Sequence, residues 1–512
     1  MASLDGFSMT STTSPQQKSR RVLSAGRTRG WHPISSNAPA ARFLGLAALL
    51  VGCASEDSAL GSDSASGAEV GGAEGTDNGG DDASPGSTSG NASPGTEAGD
   101  DSSGTSAGGN EPCSDWTYEF GSLDNNYATA VAVDGEDLFI AGSTIAGLEG
   151  LRGQVNEFDG FLIKQSTEGV EEWRILVASE VDDLIHGVAA DRVGGAFVGG
   201  RSTGDVNGVP SGEQVRGSVG FVSRFTSTGE HAWTRYLPAT VGAVVSDTDS
   251  VYFAHRDFGD QFDDPLVWKL SADGKELWNF AMRGGTSGLA LDGQGGVVVT
   301  GKSDVDLETG GTRPEGEDDY LLRLDEQGEL DWFSYLGMQS TNVSIGSTGI
   351  AVGGGGDIFL SASIYTGPPG FPRKSDLDGL VMKFSADGSH LWNYKFGTTG
   401  TPEPVALQWG YDRAHGVAVD STNHVYVTGY TWGDLNGETS AGYNDAFLVK
   451  VSPEGAPVWT RLLGSNSSDE GEAVTIDSSD RAYVVGASAG ELPGAMFTGQ
   501  ADAFVARVCD PL

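Results

Sequence analysis

Two short loops carry the most pointed chemistry in this chain. Asp205-Val206-Asn207-Gly208 and Asp434-Leu435-Asn436-Gly437 set side-chain oxygens at alternate positions ahead of a glycine, and Asp304-Val305-Asp306 repeats the pattern in a third place. Alternating oxygens before a glycine bend form the first half of a calcium-binding loop, and calcium is the cofactor they put forward. The distal glutamate that completes such a loop is missing, and the same spacing makes Asx turns, in which the carboxylate accepts backbone N–H bonds. His186 and His415 head equivalent segments and can offer two imidazoles to a metal. Zinc or copper wants three or four donors, and the matching positions Thr129, Gly242, Ser287, Thr348 and Glu472 supply no coherent set. Six of these segments end in aspartate, at Asp134, Asp191, Asp247, Asp292, Asp420 and Asp477, with Gly353 as the exception. They read either as a carboxylate ring for a cation or, one by one, as turn residues. No nucleophile, base and orienting group can be assembled from the seven scattered histidines.

The elements that position these residues are repeated. The pattern Asp, any residue, three apolar residues and Lys or Arg appears at 159–164, 264–269, 318–323, 378–383, 445–450 and 502–507, with 219–224 as a copy lacking the aspartate. A glycine-bearing turn and a tryptophan follow the first six copies in chain order: Trp173, Trp233, Trp278, Trp332, Trp392 and Trp459, while Trp116 opens the series. Between each tryptophan and the next such strand lie two further strand-like runs, of which 415–420 and 425–429 are clear examples. Four short strands per unit, seven times over, predict an all-β, seven-bladed β-propeller over residues 113–512, because one small twisted sheet cannot bury both faces alone and a ring gives each blade two neighbours. The aromatic faces of the seven tryptophans could stack on sugars, but their matching outer-strand positions suit packing between blades. The strand opening at Trp116 has no blade of its own, and the strand at 502–508 lacks an outer partner. The two ends are therefore expected to pair and close the ring.

These units resemble the bacterial propeller repeats typified by D-A-F-V-x-K, G-x-x-x-W, G-x-A-V-D and V-Y-V-T-G, known as SBBP repeats. The resemblance implies the fold and is nearly silent on activity. The turns at Ser271–Trp278 and Ser385–Trp392 also resemble the Asp-box of sialidases, from which they depart by placing glycine directly after aspartate. The same turns resemble the tryptophan-docking turns of quinoprotein-like propellers, a group that includes outer-membrane assembly lipoproteins, but seven units stand where eight are typical.

Upstream of the repeats, a ten-residue apolar run, 43–52, follows Arg42. It is too short to span a bilayer as a helix, which takes about 20 residues. A basic region, a short apolar run and small residues mark a signal peptide. Leu50-Val51-Gly52-Cys53 resembles the lipobox of bacterial lipoproteins, which implies lipidation of Cys53, a signal peptide over 1–53 and a lipid-anchored place at the outer membrane or cell surface. The segment before the apolar run is long for a signal peptide and fits a start nearer Met9 or Val22. Residues 54–112 are nearly all Ser, Gly, Ala, Thr, Asp and Glu with no Lys or Arg, an acidic tether expected to be disordered. With Cys53 assigned to the lipobox, Cys113 and Cys509 remain. They align with the two sides of the turn at Ser452 and Ala456, within the separation that a disulfide bridges, and export favours the bond.

A net charge of −41 and 78 glycines among 512 residues fit a strand-and-turn protein with an acidic surface and disfavour nucleic acid as a partner. The expected function is a binding or scaffolding module for a protein or carbohydrate of the envelope, with the lipid anchor its only membrane contact. Contacts would run through the long loops 202–218, 304–317 and 432–444, which follow second strands and crowd one face. The alternative is an extracytoplasmic enzyme acting on a carbohydrate or small molecule at the channel mouth.

Overall fold

The computed structural model describes residues 113–511 apart from 154–156, 212–217, 257–264, 307–310, 314–316, 337–342, 367–376 and 399–410. The signal peptide, Cys53 and the acidic tether lie outside the described residues.

Seven four-stranded antiparallel sheets follow one another along the chain. Blade 6 shows the pattern. Its inner strand Asp412–Val419 pairs with Val425–Thr431, then comes Asp445–Val451 and last the outer strand Pro457–Leu463. The middle two strands are almost fully buried, because they are covered on both faces, and they read as near-continuous Val, Leu, Phe and Ala. The apolar cores lie between blades rather than within them. Phe139 and Leu162 of blade 1, for instance, pack with Ile185, Val188 and Val198 of blade 2.

The repeated residues are the ones that join neighbouring blades. Six of the seven outer-strand tryptophans lie against the turn glycine of the next blade: Trp173 on Gly229, Trp233 on Gly274, Trp278 on Gly328, Trp332 on Gly388, Trp392 on Gly455 and Trp116 on Gly169, while the indole N–H of the seventh, Trp459, donates to the Asp510 carboxylate. These glycines have φ between 77° and 88°, a region costly for any residue with a Cβ, and a Cβ there would also press on the indole. The indole N–H groups of Trp173, Trp233, Trp278 and Trp392 donate to carbonyls of the same turns at 2.9–3.1 Å. The Lys or Arg that ends the third strand spans the blade. Arg224 pairs with Asp191, Arg323 with Asp292 and Lys450 with Asp420, and each cation in this position lies over an aromatic ring where one is present, as Lys450 does over Tyr426 at 4.8 Å.

The ring closes between the two ends of the repeat region. The strand Trp116–Phe120 pairs antiparallel with Asp502–Val508 and completes blade 7 as its outer strand, with Trp116 opposite Arg507. Cys113 and Cys509 form a disulfide beside this junction, with their Cα atoms 5.8 Å apart.

Candidate functional site

Every inner strand carries a β-bulge near its start, and the bulges are in register around the channel. The pairing slips between Ala128 and Ala130, Ile185 and Gly187, Val241 and Ala243, Thr286 and Gly288, Ser347 and Gly349, Ala414 and Val417, and Gly471 and Ala473. A bulge leaves one residue unpaired and re-aims its side chain. The residues so released are Thr129, His186, Gly242, Ser287, Thr348, His415 with Gly416, and Glu472. Most of them line a central cavity of about 210 Å³.

Several of these side chains lace one blade to the next. The Thr129 hydroxyl donates to the carbonyl of Ile185 at 2.7 Å, and that of Thr348 to the carbonyl of Ala414 at 2.9 Å. His415 Nδ1 lies 3.2 Å from both the Gly471 carbonyl and the Glu472 carboxylate. His186 Nδ1 meets Arg256 Nη1 at 3.3 Å. Burial, followed by the charges of Arg256 and Arg201, pushes the pKa of His186 down to about 3, so its imidazole stays neutral. Both histidines thus line one channel, on different blades, each engaged with its neighbour. Among the described residues no group of three or more His, Cys, Asp and Glu is arranged to hold a metal.

The aspartates at the ends of the inner strands sit at the opposite ends of those strands from the bulges. One oxygen of each of five caps the following turn: Asp191 accepts from Val193 and Gly195, Asp247 from Asp249 and Ser250, Asp292 from Gln294 and Gly296, Asp420 from Thr422 and His424, and Asp477 from Ser479 and Arg481. The sixth, Asp134, pairs with Arg192 of the next blade.

The loops singled out for calcium all lie between second and third strands. Asp205 Oδ1 accepts from both the backbone N–H and the hydroxyl of Ser211 at 2.7 Å, and Asp434 Oδ1 accepts from the Ser440 N–H at 2.9 Å. Asp304 pairs with Arg283 at 3.2 Å, and Asp306 ends the short strand Val305–Asp306, opposite Gly311. Asn207 and Asn436 both adopt φ of 52°, and the Asn436 amide donates to Thr460. The residue that repeats most firmly is the apolar one between the oxygens. Val206 and Leu435 are fully buried and Val305 nearly so, and Leu148 and Leu492 take the same place in blades 1 and 7. Each is an apolar plug that ties its loop to the blade. A polar group on the outer strand secures several: Tyr236 Oη accepts from Val206 N–H, Tyr335 Oη donates to the Val305 carbonyl, and Glu119 Oε1 accepts from Leu492 N–H.

Above the plugs of blades 6 and 7 this face exposes large apolar side chains: Trp432 is 56%, Tyr443 82% and Met496 78% exposed. Trp432 packs at a tilt against Tyr411, which stacks on Tyr430, which meets His415 edge to face. One aromatic run therefore reaches from the channel wall to the loop face. Arg256, which meets His186 of the channel wall, and Glu119, in the closing blade, have no repeat motif to single them out in the sequence. Gly242 gives one signal, as a glycine where most other blades carry a side chain.

The family model described as a β-propeller repeat, SBBP, matches residues 408–436 and 458–493, within blades 6 and 7. The regulatory protein FlaEY of Caulobacter vibrioides is 26% identical over 152 residues, which is 28% of this chain and 16% of that protein, so the chain spans only a small part of that relative's length. Among solved structures, BamB from Moraxella catarrhalis is 13% identical with a TM-score of 0.37 over 76% of this chain and all of that one. Sqt1 of Saccharomyces cerevisiae is 8% identical with a TM-score of 0.38 over 72% of this chain and 82% of its own. The seven sheets and their closure make the chain a seven-bladed β-propeller, and residues 408–436 and 458–493 within it match the SBBP repeat.

Proposed function

We propose that this propeller is a binding and scaffolding module, lipid-anchored at Cys53 and displayed outward from the cell envelope, which engages a protein or carbohydrate of the envelope through one face. The observation that carries the reading is the exposed set Trp432, Tyr443 and Met496 on loops fixed from beneath by Leu435 and Leu492. Large apolar side chains on rigidly held loops are what a recognition surface requires, because little order is lost on binding. The charge of −41 keeps nucleic acid away.

The test is an affinity pull-down from envelope extract with the full chain and a variant carrying Trp432→Ser, Tyr443→Ser and Met496→Ser. Retention of a discrete component by the natural chain and its loss from the variant supports the reading. Equal retention by both would move the contact surface elsewhere. Retention by neither would remove the binding role.

A further inference from the structure

We infer that the loop face of blades 6 and 7 takes a basic polypeptide segment, whose Lys and Arg side chains lie over Trp432 and Tyr443 and pair with the carboxylates of Asp434, Glu438 and Glu491. This rests on the binding reading above and narrows its occupant to one class.

The loops that carry these residues are joined. The Tyr443 N–H donates to the Ser467 carbonyl at 2.8 Å, and a Cβ on Gly490 would stand 3.0 Å from the Cβ of Ser467. The segment between blades 6 and 7 is therefore held between the two loops. Leu435 and Leu492 are buried beneath them, and Glu438 exchanges both backbone hydrogen bonds with Leu435 at 2.9–3.0 Å. The exposed side chains thus stand on anchored backbone, which keeps the ordering cost of binding low. Trp432 lies against Tyr411 with ring centroids 5.2 Å apart and still leaves 56% of its surface to solvent. The faces of an exposed indole and phenol ring attract a guanidinium or an ammonium group. Met496, 78% exposed, offers apolar surface to the methylene stems that carry those charges.

The charge of this face is one-sided. Asp434, Glu438 and Glu491 are exposed on the same two loops. The cations of blades 6 and 7 are Arg413, Lys450, Arg461, Arg481 and Arg507. Lys450, Arg481 and Arg507 belong to the far end of the ring, where they pair with Asp420, Asp477 and Glu168. Arg461 lies midway along the outer strand of blade 6, opposite Leu448. Arg413 is half-buried and acts on Glu470 and Tyr430. Among the described residues no ion pair joins any of these cations to Asp434, Glu438 or Glu491. Aromatic faces ringed by unpaired carboxylates, in a chain of net charge −41, are complementary to a cationic partner. A neutral saccharide stacks on an indole but brings no counter-charge for three carboxylates, and an acidic polymer is repelled by them.

The experiment is fluorescence anisotropy of the full chain with three labelled peptides of equal length, identical save for positions filled by Arg and Lys, by Gln or by Glu. The basic peptide should bind about ten-fold tighter than the neutral one at low salt and lose most of that advantage at high salt, because salt screens exposed charges. Trp432→Leu, which keeps apolar bulk and removes the ring, should weaken the basic peptide about three-fold. Glu438→Gln with Glu491→Gln should weaken it several-fold. Glu326→Gln with Glu454→Gln makes the same charge change on turns of the opposite face and should leave it unaltered. An unchanged melting temperature in each variant separates lost binding from lost folding. Equal loss in the two double variants would reduce the effect to net charge and overturn the inference. A neutral peptide that binds as tightly as the basic one, full affinity in Trp432→Leu, or no peptide binding at all overturns it too. Retention of an envelope component by the natural chain and its loss from the triple serine variant would, in those cases, leave the binding reading standing with an occupant of another class.

Discussion

Replacing Glu119 by Gln should stabilise the propeller, and only above about pH 5. Glu119 lies on the closing strand opposite Phe504, and the equivalent residue in blade 5 is Lys395, opposite Leu380. Lys395 holds the third-strand carboxylate of Asp378 at 2.5 Å. Glu119 instead faces the corresponding Asp502, with like charge, and is 6% exposed. Burial raises its pKa from 4.5 to about 7; the Leu492 N–H opposes the rise, and Asp502 and Asp469 add to it. A folded-state value above the unfolded one means that the native protein binds the extra proton between these two pH values. Stability therefore falls as pH rises from about 4.5 to about 7 and is level beyond. At ~1.4 kcal/mol per pH unit the loss comes to about 3 kcal/mol. Gln keeps an acceptor for Leu492 and carries no charge. At roughly 2 cal/mol/K of unfolding entropy per residue over some 400 residues, the gain corresponds to about 4 °C. Melting curves of both proteins from pH 4.5 to 8.5 give the assay. The difference, variant minus natural, should be smallest at pH 4.5 and grow to a plateau above pH 7. A difference that does not change with pH, or that shrinks as pH rises, would refute the reasoning.

Three further outcomes follow from the closure and the loop plugs. The Cys113–Cys509 bond spans 396 residues, for which chain entropy sets a ceiling of about 6 kcal/mol; reductant should lower the melting temperature of the natural chain by several degrees and leave the Cys113→Ser, Cys509→Ser variant unaffected, whereas a natural chain indifferent to reductant would show that strand pairing alone holds the ring. Leu435→Ala should cost about 2–5 kcal/mol because it empties a fully buried site, while exchange of calcium for a chelator should leave the melting temperature where it was, since Asp434 and Asp205 already serve their own turns; a clear rise with calcium would reassign those loops to metal binding.

The fold was legible because its repeating residues do the same job in every blade. A tryptophan that must lie on a positive-φ glycine of the next blade, and a Lys or Arg that must reach a carboxylate and an aromatic ring, cannot drift independently. Their spacing therefore survives as a pattern, and the unpaired ends at Trp116 and Asp502 point to the closure. The D-x-N-G loops were legible as loops, but their meaning lay in the residue between the oxygens. Val206 and Leu435 are ordinary apolar letters until neighbouring strands cover them, whereas aspartate and asparagine attract a chemical reading wherever they occur.

The channel was hidden for the converse reason. Thr129, His186, Gly242, Ser287, Thr348, His415 and Glu472 share no chemistry, so as a column of letters they suggest nothing. What they share is a bulge, a backbone event that sequence does not spell out, and it turns each of them toward the axis. Once aligned there, their differences become the information. Thr129 and Thr348 bond to the next blade and leave nothing over, His415 keeps one nitrogen unspent, and Gly242 gives up its place to Arg256. A ring built only for closure could use one small residue seven times. These differences arise because the repeat fixes the backbone at that position while leaving the side chain free.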